Sequence, residues 1–210
     1  GTARVLHSPV RGRRTMCIRD KLDIDMIAPD HGLIFRGRED SAYALEAYRR
    51  YASPVWKKKA VITYDTMWHS TEKMAFALGD GLYAAGVPYR ILPVKANHHS
   101  AVMTELADCG AVLVGSPTHN NGILPGVANL LTYMKGLRPQ KKIAMSFGSF
   151  GWSGEGARIV NDLLQGMNFE TPLEPLSCKY APKRDVLEQC FQAGKTLGET
   201  LVQRCEAEKP

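Results

Sequence analysis

The stretch Ala60-Val-Ile-Thr-Tyr-Asp-Thr-Met-Trp-His-Ser-Thr71, continuing from Glu72 to about Ala85, joins an apolar β-branched run to a helical one. Ala60 to Tyr64 reads as a buried strand. Asp65 ends it, and Thr66, Met67, Trp68, His69, Ser70 and Thr71 form a hydroxyl-rich turn. Ser70 or Thr71 is expected to be the N-cap of the following helix. A strand, such a turn and a helix N-terminus make an anion site, because unpaired N–H groups and the positive dipole end face the same point. The turn carries no Lys or Arg and matches neither a Walker loop nor G-x-G-x-x-G. It suits a terminal monophosphate bound through many hydrogen bonds.

Outward from this stretch, the chain alternates strands and helices. After the first helix, strands are expected at Tyr89–Val94, Ala111–Gly115, Lys142–Phe147 and Thr171–Cys178. Helices are expected at His98–Asp108, Leu124–Lys135, Ser153–Met167 and Val186–Glu206, with Pro125 near a helix start, where proline fits. Strands separated by helices require a parallel sheet with right-handed crossovers. Five such units fit a doubly wound α/β sheet of the flavodoxin-like order 2-1-3-4-5, with helices on both faces. A ligand then sits beyond the carboxyl ends of the strands where the order reverses.

Residues 1–57 read differently, as a short segment with too few apolar positions for a core of its own, leaving 58–210 as the α/β domain. The segment holds a basic cluster at Arg11–Arg14, a possible strand at Ile24–Ala28 and a helix capped by Asp40-Ser41 with Ala42, Leu45, Tyr48 and Tyr51 on one face. Composition excludes several classes. The 210 residues are 44% hydrophobic and 23% charged, with no apolar run long enough for a membrane span. The net charge of +6 permits an acidic partner. Its basic residues do not interleave with aromatics, so a nucleic-acid partner is rejected. Five scattered cysteines without C-x-x-C point to free thiols in a reducing cytoplasm, and none is assigned a redox role.

The doubly wound fold demands that the loops after strands one, three and four carry the chemistry. The second of these is Ser116-Pro-Thr-His-Asn-Asn-Gly122, rich in hydroxyls and amides. The third runs from Phe147 through Gly148, Ser149, Phe150, Gly151 and Trp152 to Ser153-Gly154, with glycines for close backbone approach and aromatics for stacking. Thr66, Ser70 and Thr71 are expected at a phosphate, with His69 at the surface nearby. Trp152 is expected to stack on a ring, His119 and Asn120 to line it, and Trp68 to shield it or pack on the N-terminal segment. A monophosphate pocket flanked by two ring-cradling loops is what flavin mononucleotide (FMN) requires.

Tyr64-Asp-Thr-Met-Trp68 with Ser70-Thr71, Val114-Gly-Ser-Pro-Thr118 with Asn120–Pro125, and Phe147–Gly154 resemble, in that order, the flavodoxin domain of the flavodiiron proteins. Ile27-Ala-Pro-Asp-His-Gly-Leu-Ile-Phe35 is similar to the end of that family's metallo-β-lactamase-like diiron domain, in which the histidine matching His31 is an iron ligand. The chain lacks the family's H-x-E-x-D-H motif, and one imidazole cannot hold two irons. It therefore reads as a piece of a larger flavodiiron protein or a variant without the iron domain, and an opening Gly1-Thr2 rather than Met favours the piece. The resemblance implies electron transfer through FMN, from rubredoxin or an NADH-linked reductase to a diiron site outside this chain that reduces oxygen or nitric oxide. It also implies a head-to-tail homodimer. Two other readings share the fold: an NAD(P)H:quinone reductase, and a docking module without cofactor.

Overall fold

In the computed structural model, which describes residues 23–52 and 55–208, β3 (Ala60–Tyr64) and β5 (Ala111–Gly115) are buried along their whole length. Both are bounded as the sequence predicts. They pair in parallel with β4 (Tyr89–Pro93), β8 (Ile143–Phe150) and β9 (Leu176–Lys179) in the order β4-β3-β5-β8-β9, which is 2-1-3-4-5. Tyr64 lies beside Gly115, and Gly115 beside Phe147, so the loops leaving these strands begin at one level.

Alternate residues feed two cores. Ala60, Ile62 and Tyr64 face Met74, Leu78 and Leu82 of α2 (Ser70–Ala84) and Cys190, Leu197 and Leu201 of α6 (Arg184–Ala207). Val61, Val112 and Val114 face the other layer. That layer comprises α3 (His99–Ala107), α4 (Pro125–Leu137) and α5 (Glu155–Gln165), through Val102, Leu106, Val127, Leu130, Val160 and Leu164. Each fully buried leucine stabilises the fold by about 1.5–3 kcal/mol. Burial also pushes the Cys109 thiol up to about 11 and that of Cys190 to about 12, so both behave as inert core groups.

Several predicted boundaries shift, each for a local reason. β8 runs three residues past Phe147 because Gly148, Ser149 and Phe150 pair with Ser177, Cys178 and Lys179. β9 is confined to four residues. Pro172 and Pro175 lack the N–H a ladder needs, and an isolated bridge from Glu170 to Ile143 replaces the early part of the predicted strand. α5 starts at Glu155 because Ser153 and Gly154 belong to the preceding turn.

The chain divides into two compact units, Gly1–Ser53 and Pro54–Pro210. The first holds β1 (Met26–Ile27) paired antiparallel with β2 (Phe35–Arg36), then α1 (Arg38–Ala52). The Arg38 guanidinium bonds both Asp23 and Asp25 at 2.7 Å. Asp40-Ser41 is not the cap. Ser41 N–H donates to Gly37 C=O, so the helix begins earlier and Glu39 and Asp40 fall in its first turn. The face differs too: Ser41 and Ala44 are buried while Ala42 and Tyr48 are exposed. His31 is exposed in the bend between the strands, and no group of three or more His, Cys, Asp and Glu among the described residues could hold a metal. Arg11–Arg14 and Cys17 lie outside the described residues.

Candidate functional site

The turn between β3 and α2 is fixed by its own polar groups. Asp65 N–H donates to Gly115 C=O, and Thr66 N–H to Asp65 Oδ1 at 2.7 Å. The N-cap of α2 is neither Ser70 nor Thr71 but His69, in the left-handed region at φ 61°. Sequence reasoning favoured a hydroxyl cap, yet the chain reverses one residue earlier, which makes Ser70 and Thr71 the first helical residues. Their N–H groups have no partner within the helix. No side chain caps them, and Glu72 in the first turn bonds neighbouring side chains instead. Its Oε2 meets His69 Nδ1 at 2.7 Å, and its Oε1 accepts from the Tyr64 hydroxyl at 2.8 Å. The Tyr64 bond chiefly, then the His69 bond, hold the Glu72 carboxyl below the usual carboxylate range. Burial first, then Glu72, push the Tyr64 phenol well above its ordinary value.

Thr71 is buried, with Oγ1 3.3 Å from Ser149 Oγ, which ties the first loop to β8. Thr66 Oγ1 is buried with no hydrogen-bond partner. A buried hydroxyl in that state costs about 1–3 kcal/mol unless something binds it.

Beside this turn opens a cavity of ≈ 510 Å³, within the range of small-molecule sites. The first loop gives it Met67, Trp68 and Ser70, the second Pro117 and Thr118, and the third Ser149, Phe150, Gly151 and Trp152. Trp68 is 85% exposed and Trp152 97%, so both indoles present faces that the chain leaves uncovered. Thr118 Oγ1 accepts from Gly156 N–H at 3.0 Å, holding the second loop to the start of α5.

The remaining predicted residues lie around the cavity rather than on its wall. His119 and Gly122 pair across a hairpin of β6 (Thr118–His119) and β7 (Gly122–Ile123), turned by Asn120 and Asn121. Both asparagines have positive φ, 49° and 56°, as a two-residue hairpin turn needs. Asn121 Oδ1 accepts from the Ser153 hydroxyl at 3.3 Å, linking second and third loops. Ser116 is buried and internally satisfied, accepting from Leu124 N–H and donating to Pro117 C=O. His69, within the turn, is exposed.

Gly148, Ser149 and Phe150, expected in the third loop, prove to be sheet residues continuous with Phe147. Phe147 is wholly buried in the core, and Gly148 sits against β5, where a Cβ would fall 1.9 Å from the Ser116 carbonyl oxygen. That glycine serves strand-to-strand approach. Tyr180 and Ala181, which the sequence reading missed, complete the cavity. Tyr180 follows β9 at φ 63°, its N–H on Phe150 C=O at 2.7 Å. The signal available was position: this is the carboxyl end of the fifth strand, one strand beyond the loops considered.

A flavodoxin family model matches residues 62–194. The chain is 48% identical over 183 residues to a rubredoxin-oxygen oxidoreductase of Megalodesulfovibrio gigas, covering 87% of this chain and 44% of that protein. It is 43% identical over 177 residues to a nitric oxide reductase of Moorella thermoacetica, covering 84% and 44%. Among solved structures, rubredoxin oxygen:oxidoreductase from Desulfovibrio gigas superposes with a TM-score of 0.87 at 44% identity, over 93% of this chain and 49% of that one. The flavodiiron protein from Giardia intestinalis does so at 0.88 and 31%, over 96% and 50%. The chain thus spans about half the length of the curated relatives it matches.

Proposed function

Because the chain belongs to the flavodoxin family and resembles the flavodoxin half of flavodiiron oxidoreductases, we propose that it binds FMN and relays electrons to a diiron site that it does not itself encode. The observation that carries this reading is the cavity lined by two uncovered indoles, with a buried, unpartnered hydroxyl on Thr66 in the turn beside it. A flat aromatic ring suits the first feature and a phosphate oxygen the second.

When bound, the flavin supplies the electron chemistry; the chain's residues hold and shield it. Thr66, Ser70 and Thr71, with the N–H groups at the start of α2, would hold the phosphate, and His69 would stand at its edge. Trp68 and Trp152 would cover ring faces and exclude water, with Met67, Ser149, Phe150, Gly151 and Tyr180 around them. Pro117, Thr118, His119, Asn120, Asn121 and Gly122 would meet the polar ring edge through hydroxyl, amide and backbone groups. Ser116, Phe147 and Gly148 would support these loops from within the sheet.

The finer reading follows the flavodiiron relatives. Residues 1–57 would be the tail of a metallo-β-lactamase-like domain plus linker, with His31 matching an iron ligand that lacks its partners here. Rubredoxin or an NADH-linked reductase would be the donor, a homodimer the assembly and the cytoplasm the compartment. The net charge of +6 would steer an acidic donor. A donor association rate indifferent to ionic strength would oppose that last point.

An absorption spectrum with flavin and iron analysis of one sample tests the whole. One FMN per chain without iron is the expected result. A folded, colourless chain that takes up no added FMN would sink the proposal.

A further inference from the structure

Asp65 is 6% exposed and directly precedes the hydroxyl-rich turn. A carboxylate there opposes an anion site, since like charges in a partly dry turn repel. Its surroundings offset the conflict. Oδ1 accepts the Thr66 N–H and faces the Lys95 ammonium at 3.3 Å. The same ammonium donates to the Thr66 carbonyl at 2.8 Å. Oδ2 lies toward the first turn of α4, where a Cβ on Gly126 would come within 3.3 Å of it, and the dipole of that helix favours a carboxylate. Lys95 arrives from the segment after β4, which is tied to the end of β3 by Val94 N–H on Tyr64 C=O at 2.8 Å. Thr66 is therefore gripped at both its N–H and its C=O, while its hydroxyl stays unpartnered.

We infer that Asp65 and Lys95 form a charge-compensated latch that sets Thr66 and favours a phosphate-bearing flavin over one without phosphate. Asp65 is the buried hydrogen-bond acceptor that shapes the turn. Lys95 is a positioning residue that cancels the carboxylate's charge toward the phosphate. The cation is supplied by the turn that follows the neighbouring strand, so a turn lacking Lys and Arg in its own sequence is still electrostatically prepared for an anion. The inference rests on the flavin reading above and deepens it.

The test is titration of the full chain and of K95M, K95R, D65N and D65N/K95M with FMN and with riboflavin, which has the same ring and no phosphate. Lys95 is two-thirds exposed, so the expected effect is moderate. K95M should weaken FMN binding about three- to tenfold and move riboflavin less than about twofold. K95R should retain the preference for FMN. D65N/K95M should recover most of the FMN loss, because no carboxylate charge is left to cancel. Equal weakening of both flavins in K95M, an unchanged FMN affinity, or no recovery in the double variant overturns the latch and leaves the flavin reading standing. An unsubstituted chain that binds neither flavin overturns both.

Discussion

Thr66 and Trp152 are the residues whose state the fold alone does not explain. A buried hydroxyl without a partner favours neither burial nor solvation. T66V keeps the β-branched shape and removes the orphan oxygen. It should leave the flavin-free protein as stable or more so in thermal melts while weakening FMN about tenfold. Trp152 touches so little of the chain that W152A should leave the melting temperature unchanged and weaken FMN about tenfold through lost stacking. Glu72 carries a pH signature. A carboxyl whose pKa is depressed by folding lends stability above its unfolded value and loses it as pH falls through the folded one. The unsubstituted chain should therefore lose melting temperature below about pH 4, and E72Q should lose less over the same range. At this scale the sequence was legible where composition implies chemistry, as in the hydroxyls, amides and indoles of the three loops. It was silent where one φ angle decides. Nothing about His69 announces a left-handed cap, and Gly148 looks like a loop glycine until the Ser116 carbonyl is placed against it.

Elements were readable in proportion to how far their own side chains determine them. β3 and β5 are continuous apolar runs that can only be central strands, and their bounds follow. The carboxyl end of β8 is set by hydrogen bonds to β9, a partner some thirty residues away in the chain, so no local pattern marks it. The packing of α2 on α6 was equally hidden. Gly81 of α2 faces the Phe191 carbonyl and Gly194 of α6 faces the Leu78 carbonyl, each so close that a Cβ would fall 2.0 or 2.1 Å from oxygen. The two helices meet backbone to backbone over the sheet face that carries Ile62 and Tyr64. G194A should destabilise the chain by about 1–3 kcal/mol, read as a lower urea midpoint at unchanged slope. Because Gly194 packs on Leu78 of α2, and Met74 and Leu78 anchor that helix behind the candidate phosphate turn, G194A should also weaken FMN more than riboflavin.

Over the whole molecule, one sheet edge gathers residues that lie far apart in the chain. Parallel strands in register bring Asp65, Ser116 and Gly148 to a common level, so loops roughly 50 and 80 residues along from the first converge without further specification. That topology was legible because alternation of strand and helix leaves few alternatives. All residues lining the cavity belong to the unit Pro54–Pro210. Removing residues 1–53 should therefore leave the FMN stoichiometry at one per chain, measured by absorbance of the released flavin.

The two uncovered indoles also make the molecule optically self-reporting. The chain has three tryptophans, and the third, Trp56, packs against the core ahead of the amino end of β3. Emission from the empty protein should be dominated by water-exposed Trp68 and Trp152 and lie to the red. Filling the cavity with a yellow chromophore should extinguish those two first and shift what remains to the blue, toward the sheltered Trp56. A single fluorescence scan would then read out occupancy.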